Sequence, residues 1–426
     1  MGDTIHCDLM VIGAGTAGMA AAGFAARHGL TTVGAGAAGE IIYASGCIDV
    51  LGVHPTDPPR PWADPWAGIE ALRADQPDHP YAKIPIAAVK AAVTDFVSEL
   101  TAAGLPYRIE DDRNTWVLTP AGTRRPTYAV PASLWAGAEA LDRGAPCLIV
   151  GIEGLKRFSA EGIAAVSGPS LRAARIRLPD FQGEVYAEPL ARFLETDPGR
   201  SVLAEAVRPH LGEAEAVGFP AVLGVGRVAA VTADLSDRLG RPVFEIPTLP
   251  PSVTGLRLRE ALFRMAPQWG VRPLYPLMIE PRPRVTANGG FDLTADGGLR
   301  GPIRIRAKAV ILATGRFVGG GLRADRGRIR EPLFDLPVRA PDARSDWHRI
   351  DFFDSRGHPV NRGGLTVDAT FRPVDETGRP VYDRLFAAGA ILAHGDWTRT
   401  KCGSGMAIAT AWAAVSAAAE RISGGG

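Results

Sequence analysis

The stretch Val11-Ile12-Gly13-Ala14-Gly15-Thr16-Ala17-Gly18 decides the fold. It closes a short apolar run from Cys7 to Ile12 and opens an alanine-rich segment, Met19 to Arg27, that stops at Gly29. That order reads as a buried strand, a tight turn and a helix. Each glycine has its own physical reason. Gly13 permits the sharp turn, Gly15 lets a pyrophosphate approach the backbone, and Gly18 lets the helix lie close to the strand. The first helical turn then offers unpaired N–H groups and the positive end of its dipole to an anion. Glycine-rich turns also arise for purely structural reasons. The strand and helix around this one favour a dinucleotide or flavin held at Gly13, Gly15, Thr16, Ala17 and Gly18.

Composition bounds the rest. With 426 residues, 46% of them hydrophobic and 22% charged, the chain is long enough for two domains or for one large domain with an insertion. A formal net charge of +1 speaks against a nucleic-acid surface. The four cysteines, Cys7, Cys47, Cys147 and Cys402, are scattered and form no CxxC pair of the kind an iron–sulfur cluster or structural zinc needs. A reduced, cytoplasmic setting is the simplest reading. No basic leader precedes the first strand, and the apolar stretch Met406 to Ala419 is too short to cross a bilayer, so no direct membrane span is expected.

Beyond Gly29 comes Leu30-Thr31-Thr32-Val33, a short second strand. A dinucleotide fold usually places an acid at the end of this strand to bond a ribose hydroxyl. Here that place reads Gly34-Ala35-Gly36, with Glu40 beyond it, which weakens a nicotinamide cofactor most. Gly224-Val225-Gly226 supplies only the first part of a second such motif. Proline-rich stretches at 54–62 and 247–251 bracket an inserted region of mixed character. The expected division is therefore 1–55 and 252–426 for the flavin-binding domain and 56–251 for the insert. In the last part, turns near Asn288-Gly289-Gly290 and Asp296-Gly297-Gly298 suggest a small antiparallel meander. It feeds an unbroken apolar strand, Lys308 to Ala313, which ends at Thr314-Gly315. A comparable strand from Leu385 runs into Gly389-Ala390, and Gly403-Ser404-Gly405-Met406 opens a final helix.

This spaced set resembles the two-domain flavoproteins of the glutathione-reductase-like fold: α/β, with a Rossmann-like GxGxxG domain and an inserted α+β cap or substrate domain. Three further stretches are similar to the B subunit of anaerobic glycerol-3-phosphate dehydrogenase. They are Ser45-Gly46-Cys47-Ile48-Asp49-Val50-Leu51, Leu249-Pro250-Pro251-Ser252-Val253-Thr254-Gly255-Leu256-Arg257-Leu258, and Thr314 to Leu322 followed by Ile329-Arg330-Glu331-Pro332. The family pattern favours Ser where this chain has Cys47. The resemblance implies a flavoprotein that works with a second, A-like flavoprotein subunit and a membrane-associated, C-like iron–sulfur subunit. Through that partner it would sit on the inner face of the cell membrane. The reaction implied is oxidation of a small phosphorylated polyol, sn-glycerol 3-phosphate, to dihydroxyacetone phosphate, with electrons passed towards quinone. Two alternatives stay open: a non-catalytic electron-relay or assembly subunit, and a free-standing FAD-dependent dehydrogenase of another substrate class.

For the cofactor, the missing ribose acid suits FMN, whereas a pyrophosphate-type glycine turn argues for FAD, and FAD is the preferred reading. Residues expected against it are the first glycine turn, Ser45-Gly46-Cys47, Ala313-Thr314-Gly315, Gly389-Ala390 and Gly403-Ser404-Gly405-Met406. The last group would aim first-turn N–H donors at the ring edge that gains negative charge on reduction. Cys47 is read as a small buried side chain rather than a redox centre. Oxidising a phosphorylated alcohol also needs a base and cations. His394, Arg399 and Lys401 form the first candidate cluster, Arg316 the second cationic candidate, and His348 with Arg349 the third.

Overall fold

The structure, a computed structural model, describes residues 4–37 and 41–424, so Glu40 lies outside the described residues. The chain forms two compact units. The first comprises Met1–Glu40, Asp49–Ser98 and Leu262–Gly426, and the second Ile41–Ile48 and Glu99–Ala261. The divisions thus fall away from the expected 55 and 251. Residues 49–98 join the first unit because their backbone is bonded into it. Gly52 N–H donates to the carbonyls of Thr400 and Lys401 at 3.0 and 3.1 Å, and Asp49 O accepts the Gly405 N–H at 2.8 Å.

A seven-stranded sheet organises the first unit. Its order is Arg272–Leu274, Thr32–Ala35, Ile5–Ile12, Ile303–Leu312, Phe291–Ala295 and Arg284–Val285, with Leu385–Ala387 also pairing the long strand. That long strand changes character midway. Its Ile-Arg-Ile-Arg-Ala-Lys half alternates buried and exposed residues and pairs antiparallel with Phe291–Ala295. Its Ala-Val-Ile-Leu half is wholly buried and pairs in parallel with Ile5–Ile12 and Leu385–Ala387. One face of the first half meets water, while the second half is covered on both sides, as the two sequence patterns require. The meander thus appears where expected, and the strand it feeds starts at Ile303 rather than Lys308.

Helix Thr16–Arg27 and helix Gly403–Ser423 pack together against this sheet. Their buried faces are mostly alanine and glycine, which lets the two backbones lie close. Gly389 takes φ +79° beside them, and a Cβ there would come within 2.5 Å of Ala17 Cβ. The turn 389–391 can therefore press onto the first helix only with glycine at that position.

The second unit is built around a four-stranded, fully parallel sheet in the order Leu171–Ile176, Cys147–Ile152, Ala216–Pro220, Val243–Ile246. The strand Cys-Leu-Ile-Val-Gly-Ile is buried at every position, the pattern of a central parallel strand with helices on both faces. A buried ion pair lies at the edge of this core. Arg257 meets Glu245 through two hydrogen bonds of 2.5 and 2.7 Å, and its Nε donates to Gly224 O at 2.7 Å. With both side chains almost unexposed, each charge depends on the other.

Candidate active site

The glycine turn opens onto a cavity of about 590 Å³ in the first unit. Gly13, Ala14 and Gly15 form one wall, Ala313, Thr314 and Gly315 a second, and Gly319 to Gly321 a third. Gly13 has φ +125°, and a Cβ there would overlap the Ala313 carbonyl oxygen. A Cβ on Gly18 would overlap Gly13 O. These two glycines are therefore fixed by packing. Gly15 differs, since a Cβ built on it meets nothing within 4 Å. It faces open space at the start of helix Thr16–Arg27, where among the described residues no side chain caps the first amides. Thr314 Oγ1 is buried and has no hydrogen-bond partner among the described residues. A volume of this size, a bare helix start and an orphaned hydroxyl fit the phosphate-bearing part of a flavin dinucleotide.

The place of the missing acid has a structural explanation. A Cβ on Gly34 would overlap the Tyr275 hydroxyl, which is buried and unpartnered among the described residues. Gly36, at φ +120°, lies against Gly13. The end of the second strand is thus kept small by its neighbours. Polar lining comes from residues that sequence reasoning missed: Glu280, Arg282, Asp296, Arg323, Arg330 and Glu331. They lie in turns near the meander and after the long strand. Arg330 and Glu331 fall in a stretch that carries the family resemblance and Asp296 in a turn signal, but neither signal marks them as lining the cavity. Glu331 is buried, which pushes its carboxyl pKa up, while amide donors from Leu333, Phe334 and Leu336 pull against that shift.

Other expected cofactor residues have commitments of their own. Gly405 N–H donates to Asp49 O at 2.8 Å, and its Cα is closely covered by Tyr81 and Val50. Met406 N–H donates to Cys402 O, and Met406 itself is 1% exposed. Both are packing residues rather than free donors, which corrects the expectation for that pair. Ser45, Gly46 and Cys47 belong to the second unit. There, Ser45 Oγ accepts from Arg125 at 2.8 Å, Gly46 turns with φ +82°, and its carbonyl accepts the Tyr107 hydroxyl at 2.6 Å. Cys47 is buried and unbridged.

His394 occupies a conspicuous backbone position. It takes φ +71°, a left-handed conformation uncommon outside glycine. The turn is held from three sides. His394 N–H donates to Arg362 O and Ala393 N–H to Leu365 O, both at 2.9 Å. Arg316 supplies the third hold, donating to Leu392 O at 3.0 Å, Gly395 O at 2.8 Å and Asn361 O. Arg316 is buried and engaged with these carbonyls, so it shapes the His394 turn and is not a phosphate ligand, against expectation. His394 Nε2 is buried with no partner among the described residues, while Nδ1 lies 4.0 Å from the exposed Asp78 carboxylate. Burial depresses the His394 pKa, Arg339 and Lys83 add to this, and Asp78 opposes it.

Of the remaining candidates, Arg399 stands on the helical turn Trp397–Thr400, which Asp396 caps, and its side chain passes beside Gly357. Lys401 ends that turn in the left-handed region at φ +53°. His348 meets His358 edge-on with ring centres 5.2 Å apart, and Arg349 Nε donates to Gly357 O at 3.0 Å. Deeper in this region is His79, 0% exposed. Its Nδ1 accepts from Tyr81 N–H at 3.2 Å, so the neutral ring carries its proton on Nε2, which has no partner among the described residues. Burial first, then the neighbouring His54, His394 and Arg362, lowers the His79 pKa to about 3.

In the second unit, the Gly224-Val225-Gly226 turn is filled. Glu195 Oε1 accepts the N–H groups of Val225, Gly226 and Arg227 at 2.8, 2.6 and 3.0 Å. The chain's own carboxylate stands where an anionic ligand would be held. Among the described residues, no helix is long and apolar enough to cross a membrane.

The FAD binding domain family matches residues 8–406. The B subunit of the probable anaerobic glycerol-3-phosphate dehydrogenase of Halobacterium salinarum is 35% identical over 98% of this chain and 99% of its own length. Proteins named as the B subunit of anaerobic glycerol-3-phosphate dehydrogenase are 30% identical in Pectobacterium atrosepticum, over 95% of this chain and 96% of theirs, and in Vibrio cholerae, over 96% of both. The cofactor is FAD, and the FMN alternative falls away. With its glycine cradle, the chain is a flavin-dependent oxidoreductase belonging to the B-subunit family of anaerobic glycerol-3-phosphate dehydrogenases.

Proposed function

We propose that this chain oxidises sn-glycerol 3-phosphate to dihydroxyacetone phosphate as one subunit of a larger enzyme. The observation that carries the reading is the near-full-length likeness to relatives named for that dehydrogenase. Gly13, Gly15, Thr16, Ala17 and Gly18 would hold the pyrophosphate of FAD, with Ala313-Thr314-Gly315 in a facing wall and Gly389-Ala390 packed on the first helix behind it. Bound FAD supplies the acceptor for the hydrogen and two electrons that leave the secondary carbon. His394 takes the hydroxyl proton at Nε2. Its depressed pKa keeps the ring neutral and able to accept a proton near neutral pH, and its clamped turn fixes where that nitrogen points. Electrons then pass to partners of the kinds implied by the resemblance, a second flavoprotein subunit and a membrane-associated iron–sulfur subunit.

Anaerobic titration of the FAD-loaded chain with sn-glycerol 3-phosphate tests this. Bleaching of the flavin absorbance is expected, together with loss of turnover in His394→Ala. Bleaching that requires an added partner subunit would move the substrate site to the partner and leave this chain as a relay. An oxidised spectrum under both conditions would remove glycerol 3-phosphate as substrate.

A further inference from the structure

Residues 339–363 of the first unit enclose a second cavity, of about 480 Å³, separate from the one at the glycine turn. Four arginines line it, Arg339, Arg349, Arg356 and Arg362, and among the described residues no carboxylate does. Their neighbours divide them into two pairs. Arg356 forms a two-pronged contact with Asp354, at 2.9 and 2.6 Å, with Asp57 adding to the attraction. Arg349 lies 3.9 Å from the same Asp354 and donates to Gly357 O at 3.0 Å. These two are compensated. Arg339 and Arg362 have no ion pair and no side-chain hydrogen bond among the described residues. Asp396 sits behind Gly357 and caps the turn Trp397–Thr400, and the exposed Asp78 lies 4.0 Å from His394.

Arg339 and Arg362 are both exposed, and backbone bonds tie the segments that carry them to the His394 turn. Arg339 is bridged to Gly364 through both backbone groups, at 2.8 and 2.9 Å, and Arg362 O accepts His394 N–H. The wall of the cavity and the His394 turn are therefore neighbouring, hydrogen-bonded segments. Arg339 is close enough to depress the His394 pKa, and Arg362 close enough to depress that of His79. The histidine that lines the cavity is engaged at both ring nitrogens. His358 accepts Arg349 N–H at Nδ1 and so presents Nε2–H to Phe352 O. His358 holds the loop closed, and the guanidinium groups are what the cavity offers to a ligand. Planar guanidinium groups lining one cavity suit the oxygens of a phosphate dianion.

We propose that the cavity walled by Arg339, Arg349, Arg356 and Arg362 binds the phosphate of a phosphomonoester, with Arg339 and Arg362 supplying the uncompensated charge beside His394. The identity of the ester rests on the function proposed above, whereas the anion site stands or falls separately. The sequence expectation placed the phosphate on Arg399 and Lys401, and this assignment moves it to arginines of an earlier segment of the chain.

The test uses the FAD-loaded full chain, or the complex where one is isolated. Inorganic phosphate is titrated calorimetrically at low ionic strength, and KM and kcat are measured with sn-glycerol 3-phosphate. Wild-type protein is expected to bind phosphate saturably and in competition with glycerol 3-phosphate. R339Q/R362Q is expected to bind phosphate at least tenfold more weakly, with KM raised tenfold or more, kcat changed less, and FAD content and circular dichroism retained. R339K/R362K is expected to recover part of the affinity, since a point charge still attracts phosphate. If the glutamine pair fails to fold, the two single variants carry the same expectations. Absence of saturable phosphate binding to the wild type overturns the inference, as does undiminished binding in the glutamine variants. Phosphate that binds without competing with glycerol 3-phosphate overturns the substrate assignment. Binding that depends on the arginines in a protein that never oxidises glycerol 3-phosphate upholds the anion site and sinks the proposed function.

Discussion

Two glycine turns of one local type sit in the two units and have opposite fates. Gly13-Ala14-Gly15 follows a parallel strand, precedes a helix and opens onto a large cavity. Gly224-Val225-Gly226 also follows a parallel strand and precedes a helix, yet Glu195 fills its ring of amides. Backbone N–H groups at such a turn demand an anion in either case. What differs is its source. One turn is left open to a ligand, and the other is satisfied by a side chain from an earlier helix end. A glycine signature therefore reports the demand, while the surrounding tertiary structure reports whether it is already met.

The largest effect should come from closing the open turn. Gly13→Ala combines a left-handed φ with overlap onto Ala313 O, and is expected to cost about 3 kcal/mol or more of stability and to abolish FAD retention. Urea unfolding and flavin content read both, and a stable, yellow variant would show that Gly13 is not needed for the turn.

Acid separates the units next. His79 is buried in the first unit, whereas the histidine of the second, His210, is exposed. The folded pKa of His79, about 3, lies below its ordinary 6.5. The unfolded chain then binds the extra proton first as pH falls. Its contribution is complete above about pH 6.5 and is lost towards pH 3, at a limiting slope of about 1.4 kcal/mol per pH unit. Hydrogen exchange between about pH 7 and pH 4.5, inside that window, should show the first unit loosening before the second. His79→Gln should flatten that difference, and an unchanged pH profile would remove His79 as its cause.

Breaking the filled turn should have a smaller effect. Glu195→Ala strands three amides and is expected to destabilise the second unit by about 2 kcal/mol, with FAD content unchanged. Sulfate should restore part of that stability in the variant and do nothing for the wild type. Failure of sulfate to help would mean that the two turns are not equivalent anion seats.

The smallest stability effect belongs to Gly15→Ala. Its φ of −78° suits any residue and its Cβ meets nothing, so the fold should change by roughly 0.5 kcal/mol or less. FAD affinity should nevertheless fall about tenfold or more, because the methyl group takes up space needed by the pyrophosphate. Fluorescence titration of the apoprotein checks this, and an unaltered affinity would place the pyrophosphate elsewhere.

What is legible in the sequence follows the range of the interactions. The first strand, glycine turn and helix are readable because their signals lie close together along the chain. The Val-Ile-Leu-Ala-Thr-Gly strand is readable because burial on both faces demands an unbroken apolar run. Arg316 misleads because a cation after a glycine turn looks the same in sequence whether it meets a ligand or three carbonyls. Arg339, Arg356 and Arg362 carry no signal because arginines spread through a turn-rich segment have no period or motif. Gly405 looks like an amide donor to a ligand, and only the fold shows that Asp49 O takes that amide.

The sequence by itself determined the parallel-sheet architecture, the glycine cradle and the family, because these rest on backbone conformation, periodicity and motifs that are local or aligned along the whole chain. Only the tertiary structure decided which amides are already satisfied, which arginines remain uncompensated, and that His394 is held in a left-handed turn with a bare nitrogen. Those properties depend on partners brought together from distant segments, and a charge or an N–H group has no fixed chemical role until its partners are in place.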